Sequence, residues 1–126
     1  MVSLLDNEVA RVEFDAASKT VCMTLRSGNG PREAFDDLKS VFIRMYEGLY
    51  QRRTERVTLR FDVSGCWGAN PGYIKEWTEL FKRSTRITDA VVERSIIVVA
   101  NPVTRAAVGA FLAIYPTRRP VEIVAP

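Results

Sequence analysis

The side chains that could act as nucleophile, acid or base in this chain are few, and they stand apart from one another. Cys22 falls in an apolar strand pattern and Cys66 in a glycine-containing turn, with no CxxC spacing to join either to a partner. Two such thiols read as free cysteines of a reducing compartment rather than as a disulfide or a metal pair. The 126 residues include no histidine. That absence removes Ser-His-Asp and Cys-His pairs, zinc-binding imidazoles and any imidazole acid–base group near neutral pH. Carboxylate, lysine, tyrosine or thiol chemistry would need several such groups close together, and no spacing in the sequence gathers them. Cys66 has no base within sequence reach and reads as a packed thiol. The expectation is a protein that works without catalytic residues, cofactor or metal.

Groups suited to recognition are better represented. A block of apolar strand, small polar turn and helix-opening Asn-Pro occurs twice, at 57–77 (VTLRFDVSGCWGANPGYIKEW) and 95–111 (SIIVVANPVTRAAVGAF). In open α/β sheets ligands meet the loops that follow the strands. Those loops hold Asp62, Ser64, Cys66, Trp67, Asn70 and Asn101, the candidate partner-binding set. Helix-start N–H groups there are suited to an anion, but Gly28-Asn29-Gly30 lacks the Walker A lysine and there is no GxGxxG. Trp67, between Gly65 and Gly68, either folds over the core or stands out as an interface anchor.

The elements that must position these loops follow from periodicity. Ala10, Val12 and Phe14 alternate with charged residues, and Val21, Met23 and Leu25 repeat the pattern after a short AASK connector. That is an antiparallel hairpin. SGNGP at 27–31 ends the second strand and sets proline at the head of a helix running to about residue 52. Phe35, Leu38, Phe42, Met45 and Leu49 form one stripe of that helix, and Ile43, Tyr46 and Tyr50 a second. A strand is expected at 57–63, with Arg60 and Asp62 on the face opposite Leu59 and Phe61, so one sheet face should be partly open.

A second helix begins at Pro71 with Asn70 as its cap and should bury Ile74, Trp77 and Phe81. The segment 84–89 (STRITD) is left as either loop or continuing helix. The apolar run 96–99 reads as a central parallel strand, and a third helix from Pro102 should turn Val103, Ala107, Ala110, Phe111 and Ile114 inward. A last strand covers 121–124. The order is ββαβαβαβ: an α/β domain, 1–126, whose mixed sheet starts with an antiparallel hairpin and continues with parallel strands and three packed helices.

Crossovers of the usual hand send every helix C-terminus to one pole. That pole collects Arg52, Arg53 and Arg56, then Lys82, Arg83 and Arg86, then Arg118 and Arg119. Compensation of the helix dipoles accounts for such charges at about 0.3–1 kcal/mol each. An acidic partner, a lipid headgroup or nucleic acid is the functional alternative. A net charge of +3 is mild for a nucleic-acid-binding domain.

The segment 61–65 (FDVSG) resembles the DLSG that ends the central strand of STAS domains, the fold of anti-sigma-factor antagonists, and the order of elements resembles that fold throughout. In that family a phosphorylatable serine opens the following helix. The matching positions here are Asn70-Pro71-Gly72, without a hydroxyl. The C-terminal half, 94–116 (RSIIVVANPVTRAAVGAFLAIYP), is similar to the lipid-binding CRAL-TRIO domain. That likeness implies an apolar ligand between sheet and helices. A STAS domain usually adds a helix after its last strand, whereas this sequence stops at VEIVAP. The surface it would cover is then expected to be solvated, paired with another chain or shielded by the N-terminal segment.

No signal-peptide pattern or apolar run of about 18 residues is present, so a soluble cytoplasmic protein is expected. The leading functional reading is a protein-interaction module, a regulator or assembly subunit, with a protein partner or a second copy as its ligand. Lipid binding is the alternative, and nucleic-acid contact through the basic pole the weaker one.

Overall fold

A computed structural model describes residues 1–52, 56–65, 70–114 and 119–126, apart from the side chains of Phe111 and Ile114. Six strands, β1 (Val2–Asp6), β2 (Ala10–Asp15), β3 (Thr20–Leu25), β4 (Val57–Asp62), β5 (Val92–Val98) and β6 (Val121–Val124), form one sheet in sequence order. The pairs β1–β2 and β2–β3 are antiparallel, and β3–β4, β4–β5 and β5–β6 are parallel. Four helices connect or follow them: α1 (Arg32–Arg52), α2 (Pro71–Arg83), α3 (Thr85–Val91) and α4 (Pro102–Ile114). This is the mixed sheet with an antiparallel N-terminal hairpin and parallel continuation that the periodicity predicts. It has one strand and one helix more than expected.

The extra strand, β1, shows no alternation because it is an edge. Val2 and Leu4 are exposed, and the ladder to β2 is interrupted at Leu4 by a bulge. Its place is set by backbone pairing rather than by burial, so hydropathy does not reveal it. The extra helix, α3, is the STRITD segment. The chain turns at Ser84, whose N–H bonds to the carbonyls of Leu80 and Phe81, and then restarts as a short helix.

The core lies between the sheet and α1 with α2–α3. Val12, Val21, Met23, Val57, Leu59 and Val92 from the strands meet Phe35, Leu38, Phe42 and Tyr46 from α1, and Leu80 and Val91 from α2 and α3. Each fully buried large apolar side chain contributes about 1.5–3 kcal/mol. Aromatic rings tie the helices together: Phe42 lies 5.1 Å from Trp77 and 5.4 Å from Phe81, and Phe61 of β4 meets Phe81 at 5.9 Å.

The opposite sheet face is mixed, for Val98, in register with Asp62, is buried there. The register sets Glu13, Cys22, Arg60, Ile96 and Glu122 in one row across β2–β6, with Arg60 exposed. The partly open face expected from Arg60 is therefore present.

Two helix phases differ from the expectation. On α2, Ile74 is 52% exposed, and the inward stripe is Tyr73, Trp77, Leu80 and Phe81. Tyr73 decides this phase: its ring stacks on Phe35 at 4.2 Å and its hydroxyl donates to the Gly30 carbonyl at 3.0 Å. On α4, Val103 is 79% exposed and Ala107 and Ala110 are also exposed. Thr104, Val108 and Leu112 are the partly covered positions. α4 is apolar almost all round, with Arg105 its one charge, so its composition offers no unique stripe. On α1, Ile43 is 38% exposed, while Tyr46 of the same expected stripe is buried. Among the described residues no helix is long and apolar enough to cross a membrane.

Candidate functional site

Parallel pairing of β3, β4 and β5 delivers their following loops to one edge of the sheet. The loop after β3 is held to the β1–β2 turn, because the N–H groups of Arg26 and Ser27 both donate to the Val9 carbonyl, at 2.7 and 3.2 Å. Gly30 is required here by close approach: a Cβ would lie 2.5 Å from Val9 Cγ2. The loop after β4 joins this one through Asn70 N–H to the Gly28 carbonyl at 2.9 Å, and the end of β4 joins β5 through Val63 N–H to the Val98 carbonyl at 3.0 Å.

Of the six candidate partner-binding residues, four are described and lie along this edge. Asp62 closes a turn, its Oδ1 accepting from Ser64 N–H at 3.0 Å and from the Ser64 hydroxyl at 2.5 Å. Asn70 caps α2 by accepting from Gly72 N–H at 2.8 Å. Asn101 caps α4 by accepting from Thr104 N–H at 2.7 Å. Each of these side chains thus has a local role in ending a strand or starting a helix. Cys66 and Trp67 lie outside the described residues.

Beside this edge stands an ionic clamp. Glu76 of α2 receives both Nη atoms of Arg32 at 2.5 Å and Lys39 Nζ at 2.7 Å. Asp36 adds pairs to Arg32 at 3.2 Å and Lys39 at 3.5 Å. The Arg32 guanidinium also lies 5.6 Å over the Tyr73 ring. Hydrogen bonds from Arg32 and Lys39 hold the Glu76 carboxyl down to about 2 and push the Arg32 guanidinium up. The clamp borders a shallow groove of about 370 Å³ between α1 and α2, lined in part by Ser40, Ile43, Glu79 and Arg83. Sequence reading missed it. The Arg32–Asp36 and Asp36–Lys39 spacings were a signal for contacts within α1, but nothing local links them to Glu76.

Charge pairing and hydrogen bonding dominate among the described side chains. The Glu76 carboxylate is committed to two cations. Burial pushes the Cys22 thiol up, opposed in part by Arg60 beside it. Among the described residues, no three His, Cys, Asp or Glu side chains gather to hold a metal.

The opposite edge carries the basic residues. Arg52 ends α1, Lys82 and Arg83 end α2, Arg86 opens α3, and Arg56 and Arg119 precede β4 and β6. Arg119 Nε and Nη2 donate to the Asp89 carbonyl at 3.1 and 2.9 Å, tying α3 to the start of β6. Arg53 and Arg118 lie outside the described residues.

The sequence matches no family model and no curated protein. Two solved structures are similar in fold. One is a chain of the Pseudomonas aeruginosa complex of diguanylate cyclase SiaD with its activator SiaC, at TM-score 0.66 and 12% identity, covering 100% of each chain. The other is a DUF3478-family protein of SpoIIAA-like fold from Shewanella loihica PV-4, at TM-score 0.65 and 12% identity, covering 98% of this chain and 90% of that one. They bear on the STAS side of the sequence resemblance, and the CRAL-TRIO side, carried by 94–116, receives no support from them. At this identity the likeness is one of architecture: the chain has a SpoIIAA-like α/β fold.

Proposed function

We propose that this chain is a non-catalytic regulatory module that acts by binding a partner protein through the loop edge formed by Asp62, Ser64, Asn70 and Asn101, with Cys66 and Trp67 in the same loop. The observation that carries the reading is the end-to-end likeness to a chain of a complex between an enzyme and its activator. Chemistry agrees with it: the edge offers turn and cap groups, with Asn70 exposed and Asp62, Ser64 and Asn101 half-buried. The helix start that carries a phosphorylatable serine in STAS domains reads Asn70-Pro71-Gly72, so control by a phosphate at that position is not part of this proposal.

The test is native mass spectrometry of the chain purified gently from its own cells, beside Trp67→Ala and Ser64→Arg. The expected result is a stoichiometric second protein on the wild-type chain that either substitution releases, with unfolding stability changed by less than about 1 kcal/mol. A lipid-sized mass lost on organic extraction would replace this reading with ligand carriage. A partner retained in full by both variants would move the contact to another surface.

A further inference from the structure

Charge is segregated along the sheet axis. Eight of the eighteen Lys and Arg residues fall at 52–56, 82–86 and 118–119 with one carboxylate, Glu55, which leaves ten cations against fourteen carboxylates in the rest of the chain. The ion pairs of Arg11, Arg26, Arg32 and Lys39 all lie away from this end. Arg52, Arg56, Arg83 and Arg86 are exposed, and among the described residues none of them has a carboxylate within 4.0 Å. Dipole compensation explains single cations at α1 and α2 ends. It does not explain Arg56, ahead of a strand, or Arg86, at the opening of α3, where the helix dipole is repulsive to a cation.

We propose that Arg52, Arg56, Arg83 and Arg86 form a second docking surface, at the end opposite the loop edge, for an acidic segment of a partner protein. All four are arginines, whose planar fork fits carboxylates bidentately. Arg86 is held 6.0 Å over the Tyr50 ring, so its orientation is already restricted. Arg119 is excluded from the set because its guanidinium is committed to Asp89. A membrane fits poorly: of the exposed large apolar side chains Met1, Val2, Leu4, Ile43, Ile74 and Val103, Ile43 alone lines the α1–α2 groove that reaches Arg83. Single-stranded nucleic acid fits poorly as well, since the one ring described there, Tyr50, is covered by Arg86 and offers no stacking platform. Arg83 also lines the groove beside the Glu76 clamp, but none of the four arginines belongs to the loop-edge set, so either proposal can fail alone.

The experiment is fluorescence anisotropy with a labelled oligoglutamate peptide, beside oligothymidylate and phosphatidylserine vesicles, at low and raised salt. The wild-type chain is expected to bind the peptide in preference to both other probes, with affinity falling as salt rises. R52E/R86E should weaken peptide binding about tenfold or more, and R11E, in register with Thr24 and Asp62 at the other end of the sheet, should leave it unchanged. R52Q/R86Q, which removes charge without reversing it, gives the same direction if the reversed pair fails to fold. Equal binding by wild type and both double variants would overturn the proposal, as would tighter binding to the oligonucleotide or to vesicles.

Discussion

Replacing Tyr46 by phenylalanine removes a single hydroxyl from the interior and tests how α3 is held on α1. The Thr88 hydroxyl donates to Tyr46 Oη at 3.0 Å, with Thr88 8% and Tyr46 1% exposed. In Y46F the Thr88 hydroxyl loses its acceptor where water has little access, at a cost of about 1–3 kcal/mol. Thr88→Val strips the partner from Tyr46 Oη instead and should cost a similar amount. With both changed, neither buried hydroxyl remains, so the double variant should be less destabilised than the sum, by about 0.5–2 kcal/mol. Urea melts of the four proteins followed by far-UV circular dichroism measure that coupling.

The same pair has a pH signature. Burial pushes the Tyr46 phenol from 10.0 up to about 12, with the Thr88 contact opposing in part. A folded-state value above the unfolded one means the native state favours the neutral phenol. Its contribution is complete below pH 10 and is lost as pH rises towards 12. Wild type should therefore lose stability over that interval by an amount that Y46F retains. Additive single-variant effects within about 0.3 kcal/mol, together with matching alkaline curves, would refute the buried pairing.

Three other expectations follow from the geometry. The Glu76 carboxyl should titrate near 2 rather than 4.5 by carbon-13 NMR; its contribution is then present above pH 4.5 and lost as pH falls towards 2, and R32Q should move the midpoint up. Gly30→Ala should destabilise by about 1–3 kcal/mol in denaturant melts, because its methyl group meets Val9 Cγ2 at 2.5 Å. Val103→Glu should change stability by no more than about 0.5 kcal/mol, since that side chain is 79% exposed; a larger loss would mean that α4 turns Val103 inward.

Local chemistry by itself determined the strands with two-residue periodicity and the helix starts. Val21-Met23-Leu25 and Val57-Leu59 have one apolar face whatever their neighbours, and Asn70-Pro71 and Asn101-Pro102 carry cap and first turn within a few residues. The missing histidine limits the chemistry without any structure. The loop edge was legible for the same reason, since parallel strands put their following loops together.

Tertiary structure alone decided what depends on contacts distant in sequence. β1 exists because an edge backbone found β2. The phase of α2 was set by Tyr73 reaching Phe35 and Gly30, and the phase of α4 was open because its apolar residues surround the axis. The Glu76 clamp joins residues 37 and 44 positions apart. Periodicity constrains which face of an element is apolar. It carries no information about a partner on another element when polar groups or an all-apolar helix leave several rotations equally acceptable.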